Sequence, residues 1–413
     1  MNRSLLINPS AFEAALQSTF AARSAPSQVQ SQALERFAKL DLPHRRVEGW
    51  KWSDFNAALR NVEPANDTHT DVTIAPSVFA ALNPIEIQIV NGRVILPAES
   101  TPEGTAYGVI DSMATIAELE THAIATLNVA MTRKAFGLEV AEGVTFERPV
   151  LIRHIVSSGA PVFTQTLLRV GRGAKLRVIE TYEGEGAPLY SHVCHMALRD
   201  GAEFDRTVLH ETGENAVVHG LCAAKIDGGA HYSQTTLSTG AKLVRHETLL
   251  HYVAQEATGQ VNSATLVCDS RHCDITSHIL HKGEFCKTRQ LHKSVAADRA
   301  RAIFQGKFEV ERTAQQTDAK MTANALLLNE GTEANHKPEL EIYADDVECA
   351  HGSTVGALDE NALFYLRQRG LSEHQARALL IEAFAGEVIE GIKDESVREI
   401  ISTRVAAWLE ARS

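Results

Sequence analysis

GAKLRVIETYE at residues 173–183, GAEFDRTVLHE at 201–211 and GAHYSQTTLST at 229–239 decide the fold of this chain. Their Gly-Ala pairs open at Gly173, Gly201 and Gly229, 28 residues apart at both intervals. Each pair introduces an alternating run of strand character, and each is preceded at the same offset by another: TQTLLRV at 164–170, SHVCHMAL at 191–198 and HGLCAAKI at 219–226. One repeat is therefore strand, turn, strand, turn. Such a unit cannot bury its own apolar face and must stack on its neighbours, which predicts a solenoid, and strand-only units predict a parallel β-helix. The strand texture begins near Gly143 and continues through 304–310 and 339–343, while the 28-residue register fades after about residue 245.

The chain is helical at both ends. Ser10 with Glu13, and Ser27 with Gln30, have capping-box spacing ahead of the apolar series Phe12, Leu16, Phe20 and Val29, Ala33, Phe37. Residues 61–80 read as a polar connection, 85–90 and 92–96 as strands, and 115–133 as a further helix. Beyond the solenoid, Asp359 is placed to cap a helix over 360–369 closed by Gly370, and Ser372 with Gln375 makes a third capping box. Ala376, Leu379, Leu380, Ala383 and Phe384 form one amphipathic stripe, and Val397, Ile400, Ile401, Val405 and Trp408 a second. The expected organisation is a mostly helical region with a few strands over 1–140, a β-helix core over 141–356 and a helical region for partner docking over 357–413.

Composition narrows the function. In 413 residues, 52 Asp plus Glu against 40 Lys plus Arg give a formal charge of −12, which repels phosphate backbones and anionic headgroups, so neither nucleic acid nor a membrane is an expected partner. The opening MNRSLLINPS has one Arg and a short apolar run, unlike a signal peptide or a membrane span, and a cytoplasmic setting is expected. There the six cysteines, Cys194, Cys222, Cys268, Cys273, Cys286 and Cys349, should be thiols.

Strand parity puts Cys194 with Met196 and Leu198, and Cys222 with Ala224 and Ile226, so both should point into the core. Cys268, His272, Cys273, His278 and His281 invite a metal-site reading, but a Cys-x4-Cys spacing lacks the tight turn that brings two thiolates to one ion, and an exposed polar face or an interchain contact explains them as well. Asp345, Asp346, Glu339 and Glu341 read as strand and turn positions. GxSxG, HExxH, the phosphate-loop pattern and GxGxxG are all missing from the sequence, so no conventional catalytic site is visible. In DVECAHGSTVG, residues 346–356, an extended backbone puts Cys349 and His351 on one side, roughly 6.6 Å apart by strand rise. Two such donors are half a tetrahedral site, and the rest would have to come from another chain.

PELEIYADDVECAHGSTVGALDENALFYLRQRGLS, residues 338–372, resembles the C-terminal signature of the SufB/SufD family of iron–sulfur cluster assembly scaffolds. LPHRRVEGWKWSDF, residues 42–55, looks like the N-terminal motif of its SufD branch. The resemblance covers essentially the whole chain and implies a right-handed parallel β-helix flanked by helical regions. It implies a non-catalytic subunit that pairs with a SufB-like subunit through the β-helix cores and docks a SufC-like ATPase on its C-terminal helices. In isolation a homodimer is compatible with the same surfaces. Carried over residue by residue, it puts His351, and less firmly Cys349, beside a transient nascent iron–sulfur cluster at the SufB interface, with no cofactor held stably by the isolated chain. The helices over 360–386, through Leu363, Phe364, Tyr365, Arg369, Leu380 and Phe384, become the SufC-facing candidates. SufB itself fits less well, because SufB chains have a longer N-terminal part and do not look like 42–55. A secreted polysaccharide-acting β-helix would need an export signal and a groove of acidic residues. A stand-alone Cys/His metal-binding β-helix protein or enzyme is the alternative reading, tested by whether 268–281 assembles a site.

Overall fold

The computed structural model describes residues 9–23, 25–60, 62, 72–114 and 116–412. Half of the polar connection expected over 61–80, the opening residues 1–8 and Thr115 lie outside the described residues. The centre of the chain is a parallel β-solenoid in which successive strands alternate between two facing sheets, ten strands in one and nine in the other among the described residues. One sheet runs through Val150–Ile155, Lys175–Glu183, Glu203–His210 and His231–Ser238 and ends at Glu348–Gly356. The other runs through Val162–Val170, Tyr190–Leu198 and Val217–Ile226 and ends at Glu333–Ile342. The sheets also take in strands before residue 141: Ile85–Val90 and Lys134–Val140 join them in parallel, and each carries one antiparallel edge strand.

The Gly-Ala turns explain both the repeat and its fading. Gly173, Gly201 and Gly229 each have φ of 63°, a left-handed turn that a side chain adopts only at a cost. The same turn recurs at Glu256, Phe285 and Gln316, with φ of 62°, 57° and 61°. Its backbone bonds continue unbroken, Gly229 N–H to Gln255, Glu256 N–H to Glu284 and Phe285 N–H to Gln315. Glycine is therefore lost while the geometry persists. The rungs also lengthen, since Lys175 pairs with Glu203 and Glu203 with His231, whereas Lys287 pairs with Asp318 and Arg301 with Glu333.

Inward positions of both sheets form one continuous core that includes Cys194 and Cys222, register partners on adjacent rungs, as their parity predicts. The outer faces are covered by the two ends of the chain. N-terminal Phe12, Leu34, Phe37 and Phe55 pack with Val217 and Leu243 of the nine-stranded sheet and with Leu189, just before one of its strands. C-terminal Ile381, Ala385, Val388, Ile401 and Val405 pack with Ile179, Leu209, Leu237 and Leu266 of the ten-stranded one. All three capping boxes form, at Ser10, Ser27 and Ser372.

Two expectations are corrected. The helix over 115–133 is only Ala123–Met131, because His122 caps it through Ala125 N–H and a 3-10 turn, Ala117–Leu119, precedes it. In Glu373–Ile389 the buried face is Ala376, Ile381, Ala385, Val388 and Ile389; Leu379 is 46% exposed and Ala383 is also on the surface, so the stripe sits about one residue further on than its periodicity suggests. Apolar residues occur around much of this helix, and only the packing chooses which of them face the sheet.

Candidate functional site

The solenoid ends on an uncovered rung. Glu333–Ile342 and Glu348–Gly356 are the terminal strands of the two sheets, so each has a paired edge and a bare edge. Pro338 fits such a strand, because a residue without an N–H is confined to sheet edges. Strand alternation turns Cys349 and His351 to the same side: they pair with Ala319 and Met321, both core residues. Cys349 is half-buried against the core, and burial, with Asp318 adding, pushes its thiol pKa up; His351 is exposed.

Two residues of this rung were not anticipated. His336, in register with the core residue Phe304, reaches across the interior so that its Nδ1 lies 2.8 Å from Ser353 Oγ. The alternation Ala334, His336, Pro338, Leu340 was the available signal, but it is legible only once Glu333 is known to begin the strand. His336, Cys349, His351 and Ser353 thus share the inner side of a rung that no other element among the described residues covers, and Tyr343 and Val355 beside it are 54% and 50% exposed.

Cys268, His272, Cys273, His278 and His281 do not come together in one site. Cys273 and His281 point into the core, near Ser238 and Thr288 respectively. His272 and His278 lie on the opposite side, bonded to Ser53 and Glu309, while Cys268 packs beneath the C-terminal helices beside Arg412.

The motif at 42–55 anchors the N-terminal region over a buried charge network. Arg245 donates to Glu247 Oε2 at 2.9 Å and to Asp274 Oδ2 at 2.7 Å, and the Trp50 ring stacks on its guanidinium at 4.0 Å. Ser53 donates to Asp274 and accepts from His272 Nε2 at 2.9 Å. Burial alone would raise the Glu247 pKa, but Arg245 and then His122 and His219 outweigh it and hold the carboxyl well below its ordinary range. His122, His219 and Glu247 converge as metal ligands would. However, His122 Nδ1 accepts from Ala125 N–H at 3.1 Å, so the neutral ring has its proton on Nε2, which donates to Glu247 Oε1 at 2.8 Å. That nitrogen has no lone pair to offer, and the group is a hydrogen-bonded lock.

Of the C-terminal candidates, Phe364 and Tyr365 are 66% and 57% exposed, with Arg369 stacked on the Tyr365 ring. Leu363 is buried, and Leu380 and Phe384 are partly buried against the same outer core, with Lys293 over the Phe384 ring. Phe364, Tyr365 and Leu379 are therefore the large apolar groups these two helices leave on the surface. No helix among the described residues is long and apolar enough to cross a membrane.

Comparison with known proteins converges on one system. The family model for the SUF system FeS cluster assembly SufBD core domain matches residues 154–384. The iron–sulfur cluster assembly protein SufD of Escherichia coli is 27% identical over 92% of this chain and 92% of its own length. An iron–sulfur cluster assembly SufBD family protein of Synechocystis is 27% identical over 90% and 89%, and the chloroplastic protein ABCI7 of Arabidopsis thaliana is 28% identical over 65% and 59%.

Proposed function

The chain belongs to the SufB/SufD family of the SUF iron–sulfur cluster assembly system, and from that premise we propose that it is the SufD-type scaffold subunit of a complex with a SufB-like subunit and a SufC-like ATPase. The observation that supports this most is the uncovered rung, where two bare strand edges coincide with Cys349 and His351. A bare edge is a template for another chain's strand. A SufB-like β-helix meeting this end would satisfy those edges, cover Tyr343 and Val355 and add donors to the two this chain offers.

The nascent cluster is the cargo of that interface. Four protein donors are its normal complement, so a site shared between chains accounts for an incomplete set in this one. A thiol pushed up by burial gives up its proton when metal replaces it, which is how Cys349 would enter; the His351 imidazole would add a nitrogen donor. Phe364, Tyr365 and Leu379 form the docking face for the ATPase subunit, which supplies the nucleotide chemistry. In isolation the bare rung would pair two copies of this chain.

The test is cluster absorption after anaerobic reconstitution of the three-subunit complex, wild type against the Cys349→Ala, His351→Ala double variant. Loss of the absorption in a variant complex that still assembles is the expected result. Equal absorption in both would assign the site to the SufB-like partner alone.

A further inference from the structure

A second set of metal-capable side chains lies inside the solenoid, far from the bare rung in sequence. His154 and Glu180 come from adjacent strands of the ten-stranded sheet and His192 from the facing nine-stranded sheet; all three point into the interior and are almost completely buried. One ligand atom from each lies within 4.8 Å of the others. His154 Nε2 stands 3.4 Å from Glu180 Oε1 and His192 Nε2 stands 3.9 Å from it. Ligands held at zinc bond lengths in a tetrahedron are about 3.4 Å apart, so the spacing is that of an ion's donors.

The proton positions agree, in contrast to His122. His154 Nδ1 is 2.6 Å from the Tyr190 hydroxyl and His192 Nδ1 is 2.8 Å from the Thr164 hydroxyl, oxygens that can both accept. With the protons on Nδ1, both Nε2 lone pairs turn toward Glu180, and outer partners of this kind orient metal-binding histidines. His154 Nε2 is completely buried with no hydrogen bond better than its long 3.4 Å approach to Glu180 Oε1, an expensive state for a polar atom that a ligated ion would relieve. Arg206 holds the other Glu180 oxygen, Oε2, at 2.7 Å, and the Tyr182 hydroxyl donates to Oε1. Arg206 opposes a cation by its charge, so the ion must be one whose bonds to imidazole are strong.

We infer that His154, Glu180 and His192 form a buried structural site for one divalent transition-metal ion of the zinc class, separate from the cluster chemistry at Cys349 and His351. Nothing in the geometry opens this site to solvent, so the ion enters while the solenoid folds. The proposal does not depend on the function proposed above.

The experiment uses the full chain, unfolded with chelator and refolded with or without Zn²⁺, then washed with chelator in the folded state. One zinc per chain should survive the wash. Its X-ray absorption should show two imidazoles with oxygen and no sulfur. His192→Gln should lose the ion, and Cys349→Ala, His351→Ala should keep it. A washed wild-type chain without zinc, or a spectrum with sulfur ligands, would overturn the proposal. Should His192→Gln fail to fold, the wild-type spectrum decides alone.

Discussion

His336 Nδ1 and Ser353 Oγ, 2.8 Å apart, join the last strand of one sheet to the last strand of the other across the interior of the bare rung. With no further rung behind it, this contact faces water in the isolated chain, and such a bond contributes about 0.5–1.5 kcal/mol. Ser353→Ala is therefore expected to lower unfolding stability by about 1 kcal/mol or less in urea titration. A loss several times larger would mean that this contact, and not the stacking of the rungs beneath, holds the end together.

Val355 lies on the bare strand, so Val355→Lys should leave the isolated chain within about 0.5 kcal/mol of wild type. Charges on a strand edge oppose pairing with another chain. Co-purification with a SufB-like subunit should fall sharply; unchanged pairing would move the interface elsewhere.

Leu363 and its neighbours Phe364 and Tyr365 separate docking from folding. Leu363→Ala removes a buried side chain and should cost about 2–5 kcal/mol, measured by denaturant unfolding. Phe364→Ala with Tyr365→Ala should cost little stability and abolish capture of the ATPase subunit. Retained capture would clear this face of the docking role.

Gly259 points at the buried Tyr252. A Cβ there would stand 1.8 Å from the Tyr252 hydroxyl and 3.0 Å from the carbon that bears it, and the hydroxyl also accepts from Thr288 at 3.2 Å. Gly259→Ala should destabilise by about 1–3 kcal/mol or more through overpacking. Adding Tyr252→Phe removes the closest atom and should restore part of the loss. A double variant as unstable as the two single changes summed would place the clash elsewhere.

Burial pushes His281, His292 and His210 from an ordinary 6.5 down to about 3. These rings are neutral in the folded chain and take up protons on unfolding, so their contribution is complete above pH 6.5 and declines as pH falls toward 3. At pH 5 the loss from His281 alone is about 2 kcal/mol. The urea midpoint should drop steadily from pH 7 to pH 5. A flat profile would mean that water reaches these rings.

The sequence exposed the rung wherever glycine marked its turn. It lost the register where Glu256, Phe285 and Gln316 take the same left-handed turn without glycine, because a shared backbone shape need not share a residue. Cys349 and His351 were legible as a same-side pair because two positions along one strand share a face whatever surrounds them. His336 and Ser353 were not, since their meeting depends on where two strands stop and how the sheets face each other.

Local periodicity and turn chemistry by themselves determined a two-stranded solenoid unit, helical ends, inward Cys194 and Cys222, and motifs sufficient to place the chain in its family. Only the tertiary structure decided which helix face is buried, that Trp50 covers Arg245, and that His154, Glu180 and His192 converge while the cysteines and histidines over 268–281 do not join in one site. The first group depends on residues within one strand, one turn or one helix. The second depends on the stacking register between rungs and on how the two ends of the chain fold back over the sheets, and those contacts join residues that no local period relates.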